Sequence, residues 1–196
     1  MTKASVNAVT DDWTPDGRAL IYHDGNLAIR ATPAPVLWFV PLDGPRNPKP
    51  IVESRFGITH VRVSPDGSWI AYVSAESGRQ EVYVQNFPTP VGKWQISTAG
   101  GIQPMWQRDG KELLYVAPDS KLMAVPIKLG ARVEAGQPVA LFEARMEGGG
   151  IGTVGIFHQY DVSADGQRFL VNTLVEQGAS APPVAVVLNW TAGLRK

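Results

Sequence analysis

Two histidines, two glutamines and an arginine are the residues of this sequence whose types and spacing could bring chemistry to one place. His60 and His158 precede the pairs Asp66-Gly67 and Asp165-Gly166 by six and seven residues, which puts both near the start of equivalent strands. Four residues before the Asp of each of four such pairs stand Asp12, Arg62, Met105 and Asp161. Asp12 and Arg62 are thereby expected on neighbouring units, as a structural ion pair rather than a clamp on a substrate. His60, Arg62, Gln103, His158 and Gln159 are the residues expected to line a channel or face a partner. His23 stands apart in sequence. No carboxylate or cysteine lies at ligand spacing from these histidines, so no metal site is expected.

Other motifs match a pattern without its context. Gly150-Ile151-Gly152-Thr153-Val154-Gly155 spells GxGxxG. Such a loop binds phosphate only where it leaves a strand and opens a helix, whose N-terminal amides face the anion. Here the strand-like run Ile156–Tyr160 follows, so the reading is an inter-unit loop, with no nucleotide cofactor. The four Asp-Gly aspartates are expected to be structural, because Asp accepts local backbone N–H bonds in turns. In Ser64–Trp69 a Gly directly follows the Asp, which breaks the spacing of a sialidase Asp-box. Asn189-Trp190-Thr191 is a glycosylation sequon in spelling alone. No nucleophile–base pair is evident, and no catalytic residue is expected.

The elements that would position these side chains are short strands. Val61–Phe87 holds two apolar runs, Trp69–Val73 and Val82–Phe87, each bounded by turn residues, with no helical period. The pattern recurs. The turns Asp16-Gly17, Asp66-Gly67, Asp109-Gly110 and Asp165-Gly166 follow a large apolar residue three positions earlier: Trp13, Val63, Trp106 and Val162. Six positions after the Asp come Tyr22, Tyr72, Tyr115 and Val171. A period of roughly 40–50 residues with several strands per unit is the mark of propeller blades. The expected fold is an all-β propeller of about four blades of antiparallel four-stranded sheets, forming an incomplete ring.

The blades are expected at about residues 7–55, 56–100, 101–147 and 156–196. Expected strands are Ala8–Thr14, Ala19–Tyr22, Val36–Leu42 and Pro50–Val52 in the first. The second has Ile58–Ser64, Trp69–Ser74, Glu81–Phe87 and Lys93–Thr98. The third has Gln103–Gln107, Glu112–Ala117, Leu122–Ile127 and an outer strand within Pro138–Glu143. The fourth has Phe157–Ser163, Arg168–Asn172 and Val184–Trp190. Runs that are apolar throughout, such as Trp69–Val73 and Val184–Leu188, require burial on both faces, which stacked blades supply. Trp13, Trp69 and Trp106 are expected in the core, with Trp38 and Trp94 partly exposed.

Composition narrows the classes further. The 196 residues are 44% apolar, in the range of a folded globular chain. Lys plus Arg equals Asp plus Glu at 18 each, which gives no basic surface for nucleic acid or anionic membranes. Cysteine is absent, so disulfides, thiolate catalysis and Cys-based zinc sites are excluded. Gly (20) and Pro (16) fall between the apolar runs, where turns are needed. No 18-residue apolar run exists, and the first residues lack the apolar core of a signal peptide. As encoded the chain is expected to be soluble, untargeted and not inserted in a membrane.

DDWTPDGRALIY, VRVSPDGSWIAYVS with GRQEVYVQNF, and MWQRDGKELLYV resemble the WD40-like propeller repeat of the TolB type. GKWQISTAGG, QPMWQRDGKELLYVAPDSKLMAVPI, YDVSADGQRFLVNT and VVLNWTAGL are similar to the C-terminal propeller part of large bacterial receptor-like serine/threonine kinases. That resemblance implies a non-catalytic sensor or scaffold module. It would bind a protein partner or small ligand at a propeller face or channel, on the extracytoplasmic side if attached to such a kinase. The kinase motifs themselves (VAIK-type lysine, HRD, DFG) are missing, as is the Gly-x-Ser-x-Gly elbow of a serine peptidase. The alternatives are the gating propeller of a serine peptidase and a fragment with no independent function. Open blade faces at the two ends are expected to drive self-association.

Overall fold

The computed structural model describes residues 8–24, 36–146, 158–173 and 184–188. The GxGxxG stretch and the sequon lie outside these residues. Sixteen strands are described. The first sheet holds β1 (Ala8–Trp13), β2 (Ala19–Asp24), β3 (Val36–Pro41) and β4 (Lys49–Glu53), in that order and antiparallel throughout. The second repeats the plan with β5 (Thr59–Val63), β6 (Trp69–Ser74), β7 (Glu81–Asn86) and β8 (Lys93–Gln95). The third holds β9 (Ile102–Trp106), β10 (Glu112–Val116) and β11 (Lys121–Leu129). There β11 pairs with both β12 (Val133–Ala135) and β13 (Val139–Glu143). The fourth holds β14 (Tyr160–Val162), β15 (Arg168–Asn172) and β16 (Val184–Leu188).

One local device opens every sheet. In the second, the Gly67 N–H closes the turn on the Ser64 carbonyl at 2.8 Å. Gly67 has φ +73°, a conformation that costs glycine least. Asp66 accepts the Ser68 N–H at 3.1 Å, and Ser64 Oγ accepts the Trp69 N–H at 3.0 Å. The first and fourth sheets reproduce this with Thr14/Asp16 and Ser163/Asp165. In the third, Asp109 accepts the Lys111 N–H at 3.0 Å. The turn aspartates therefore hold backbone, as expected of them.

Burial follows the stacking of sheets. All six residues of β6 are buried, as its unbroken apolar run requires. One apolar cluster joins the first and second sheets through Ile21, Leu37, Ile70 and Tyr72. A larger one runs through the second, third and fourth by way of Val73, Leu113, Val116 and Phe169. Trp69 and Trp106 are core, and Trp38 and Trp94 are half-buried. Trp13 departs from expectation: it is 55% exposed, because none of the described sheets covers its outer side.

Strand limits differ from the expected ones where side chains intervene. Strand β8 stops at Gln95 rather than Thr98 because Ser97 Oγ, not a ladder carbonyl, accepts the Val82 N–H at 2.8 Å. Ser97 in turn donates to the fully buried Glu81, which also accepts the Gly100 N–H at 3.0 Å. Strand β11 runs two residues past its expected end and turns back into β12, a strand not anticipated. Among the described residues there is no helix long and apolar enough to cross a membrane.

Candidate functional site

The first strand of each sheet lies innermost, with β5 packed between β1 and β9. These strands are bulged: the register shifts between Thr10 and Asp12 in β1, between Thr59 and Arg62 in β5, and opposite Leu114/Val116 in β9. At the bulges His60 and Gln103 take the left-handed conformation, with φ 53° and 54°. Both stand six residues before their turn Asp, so one irregularity recurs at one repeat position. A bulge adds a residue to one strand and re-aims the side chains beside it.

Polar contacts tie these strands together across the sheets. Asp12 accepts the Val63 N–H at 2.8 Å, and Arg62 donates Nη1–H to the Asp11 carbonyl at 2.9 Å. The Arg62 guanidinium lies 3.9 Å from the Asp12 carboxylate, the inter-sheet pair expected from the repeat. Trp106 donates its indole N–H to the Arg62 carbonyl at 3.1 Å. On the other side, Gln103 Oε1 accepts the Gln159 N–H at 2.7 Å, and Tyr160 donates its hydroxyl to the Gln103 carbonyl at 2.8 Å. His158 Nε2 lies 2.9 Å from the Pro104 carbonyl, so it carries the proton and leaves Nδ1 as the ring's acceptor.

These residues wall a cleft of about 670 Å³. Arg62, His158 and Gln159 line it, joined by Asp12, Asp161 and Asn172. Met105, Trp106 and Leu170 add apolar surface. His60 and Gln103 are buried and support the wall from behind; the His60 ring meets that of His158 edge to face at 5.4 Å. Burial, then the charge of Arg62 and the neighbouring His60, lower the His158 pKa to about 3, so its ring is neutral. Burial raises the Asp12 carboxyl, against the pull of the Val63 N–H and Arg62. The cleft thus offers one cation, two carboxylates and neutral acceptors and donors beside apolar surface. Among the described residues that line it, none is a serine, threonine or cysteine that a base could activate.

The sequence reading passed over Tyr160, Asn172 and the buried pair of Asp11 and His23, 2.7 Å apart. Asp11 stands five residues before its turn Asp, at the repeat position Tyr160 occupies in the fourth sheet. That alignment held the available signal.

Antiparallel sheets of three to five strands, set side by side with their first strands innermost, make this a β-propeller fold of the TolB type. Among solved structures, TolB from Acinetobacter baumannii superposes with a TM-score of 0.63 at 18% identity, over 93% of this chain and 41% of that one. An oligogalacturonate lyase in complex with manganese gives 0.61 at 16% identity, over 88% of this chain and 45% of that one. A Mycobacterium tuberculosis puromycin-hydrolyzing peptidase gives 0.59 at 18% identity, over 86% and 28%. The chain spans less than half the length of each. No protein-family model matches it, and no curated protein matches it in sequence.

Proposed function

We propose that this chain is a non-catalytic propeller module that binds a protein segment or small ligand in the cleft between its innermost strands. The cleft itself carries the reading. Its polar side chains converge from three innermost strands on one space, while apolar surface beside them supplies contact area, the usual make-up of a ligand site. Its chemistry is that of recognition: Arg62 is a fixed cation held by backbone and carboxylate, and His158 is a neutral ring. The sequence resemblance to the propeller part of receptor-like serine/threonine kinases supports a sensor or scaffold role beside a signalling kinase.

Ligand-observed NMR with a set of dipeptides bearing acidic, basic and aromatic side chains tests the reading. Binding that is lost in Arg62→Gln and Asp161→Asn is the expected result; absence of binding, or binding indifferent to both changes, overturns it. The purified chain is also expected to turn over neither ATP nor peptide and ester substrates. An activity that co-purifies with the chain and disappears in His158→Ala would replace the binding module with an enzyme.

A further inference from the structure

Three residues after the turn Asp stand Ala19, Trp69, Glu112 and Arg168. The pleat puts this position on the same side of its sheet as Ile21 in the first and Ala71 in the second, the side that faces the following sheet. Trp69 is 4% exposed and belongs to the cluster that joins the second and third sheets. Its indole meets that of Trp94 edge to face at 5.6 Å. Where the first sheet meets the second, the same position carries only the methyl group of Ala19.

A cavity of about 660 Å³ opens beside that methyl group, at the end of the sheets that carries the Asp-Gly turns. Phe39 and Pro41 of the first sheet wall it on one side, and Pro65, Phe87 and Pro88 of the second on the other. The Phe39 and Phe87 rings meet edge to face at 5.4 Å, which fixes both. Proline rings add walls with little freedom to lose when the space is filled. Both walls belong to described sheets that already lie side by side, so the cavity is complete without a sheet beyond either end of the row. It shares Pro65 with the cleft and no other lining residue.

The rim is acidic. Among the described residues that line the cavity, Asp16, Asp43 and Asp66 stand with a single cation, Arg18, which lies 3.5 Å from Asp43. The turns engage one oxygen of each remaining carboxylate. Asp16 Oδ1 accepts the Thr14 hydroxyl and the Arg18 N–H, and Asp66 Oδ1 accepts the Ser64 hydroxyl and the Ser68 N–H. The negative charge of both turns is thus left beside an apolar space.

We infer that this cavity is a second recognition site, which takes the tryptophan side chain of an extended peptide segment flanked by lysine or arginine. The indole of Trp69, at the same repeat position one sheet on, is the template for the ring. The carboxylates of Asp16 and Asp66 select the basic neighbours, by charge complementarity. The inference rests on the repeat position and the rim, and not on what the cleft binds.

Calorimetric titration with the blocked tripeptide acetyl-Lys-Trp-Lys-amide tests this, with circular dichroism confirming that each variant is folded. Saturable binding is expected, about tenfold or more weaker when the tripeptide's tryptophan is alanine or its lysines are glutamate. Ala19→Trp fills the cavity with the chain's own indole and is expected to abolish binding. Asp16→Asn with Asp66→Asn keeps the turn acceptors and removes their charge; it is expected to weaken binding about three- to tenfold, most at low salt. That second variant decides the matter if Ala19→Trp does not fold. No binding of the lysine–tryptophan peptide, equal binding of its alanine version, or indifference to the paired asparagines overturns the inference. Binding that is lost in Asp161→Asn places the peptide in the cleft and overturns it too.

Discussion

Strands β6 and β15 follow the same turn in the second and fourth sheets, yet their surroundings are opposed. Every residue of β6 is buried, whereas β15 alternates between exposed and buried. The contrast is sharpest five residues after the turn. Ala71, small and only weakly apolar, is completely buried, and Leu170, the larger and more apolar residue, is 49% exposed. Side-chain type does not decide burial here; a sheet stacked in front does. The energetic worth of a repeat position is therefore a property of the row of sheets, and the same residue type is expensive to lose inside it and cheap to lose at its end.

Paired substitutions test that rule, and the tryptophans give the largest contrast. Trp106→Ala is expected to destabilise by about 3–5 kcal/mol, the cost of deleting a buried large aromatic. Trp13→Ala, in dilute protein, should stay within about 0.5 kcal/mol, as exposed substitutions do. Equal shifts in urea midpoint would break the comparison. The second pair is Leu114→Ala, expected to cost about 2–5 kcal/mol, against Leu170→Ala, again within about 0.5 kcal/mol. Thermal unfolding of both reads the difference. Third, Ala71→Leu places the fourth sheet's residue in the second. Overpacking there is expected to cost about 1–3 kcal/mol; a neutral result would mean that the joint has room for a leucine.

A pH dependence is expected as well. His158 is held neutral in the fold, with a pKa near 3 against 6.5 for the free ring. The unfolded chain takes up this proton first, so the contribution is complete above pH 6.5 and is lost as the pH falls toward 3. Asp12 acts with the opposite sign: its raised pKa adds stability at low pH that is lost as the pH rises through it. Urea midpoints just below pH 6.5, compared between the wild-type chain and a His158 variant, assign the His158 part of the slope. His158→Gln should flatten the slope there, and an unchanged slope would remove His158 as its source.

The fold was legible because its punctuation is chemical. Asp-Gly turns and apolar runs at a fixed distance from them depend on local backbone geometry, and they place β5, β6 and β7 to within a residue or two. Strand β12 was not legible, since Val133–Ala135 has one buried residue and exists only because β11 runs on to Leu129. In the cleft, Asp12 and Arg62 were readable as a pair from alignment on the turn. The burial of His60 and Gln103 was not, because neither is a glycine and nothing local announces a left-handed residue in a strand. The exposure of Trp13 was hidden for another reason: it depends on a neighbour that is not beside it in sequence.

The bulges of the innermost strands have an evolutionary consequence. A regular strand commits alternate residues to alternate sides along its whole length, so a change that alters what it presents to a ligand is constrained by what it presents to its neighbours. The extra residue breaks that commitment partway along β1, β5 and β9. Beyond the break, the stretch nearest the turn keeps the phase needed to pack against adjacent sheets. Before it, the stretch is released from that phase. Asp12, Arg62 and Met105, which line the cleft, stand on the turn side of the break, so the lining of the cleft can change only within the packing phase that the neighbouring sheets impose.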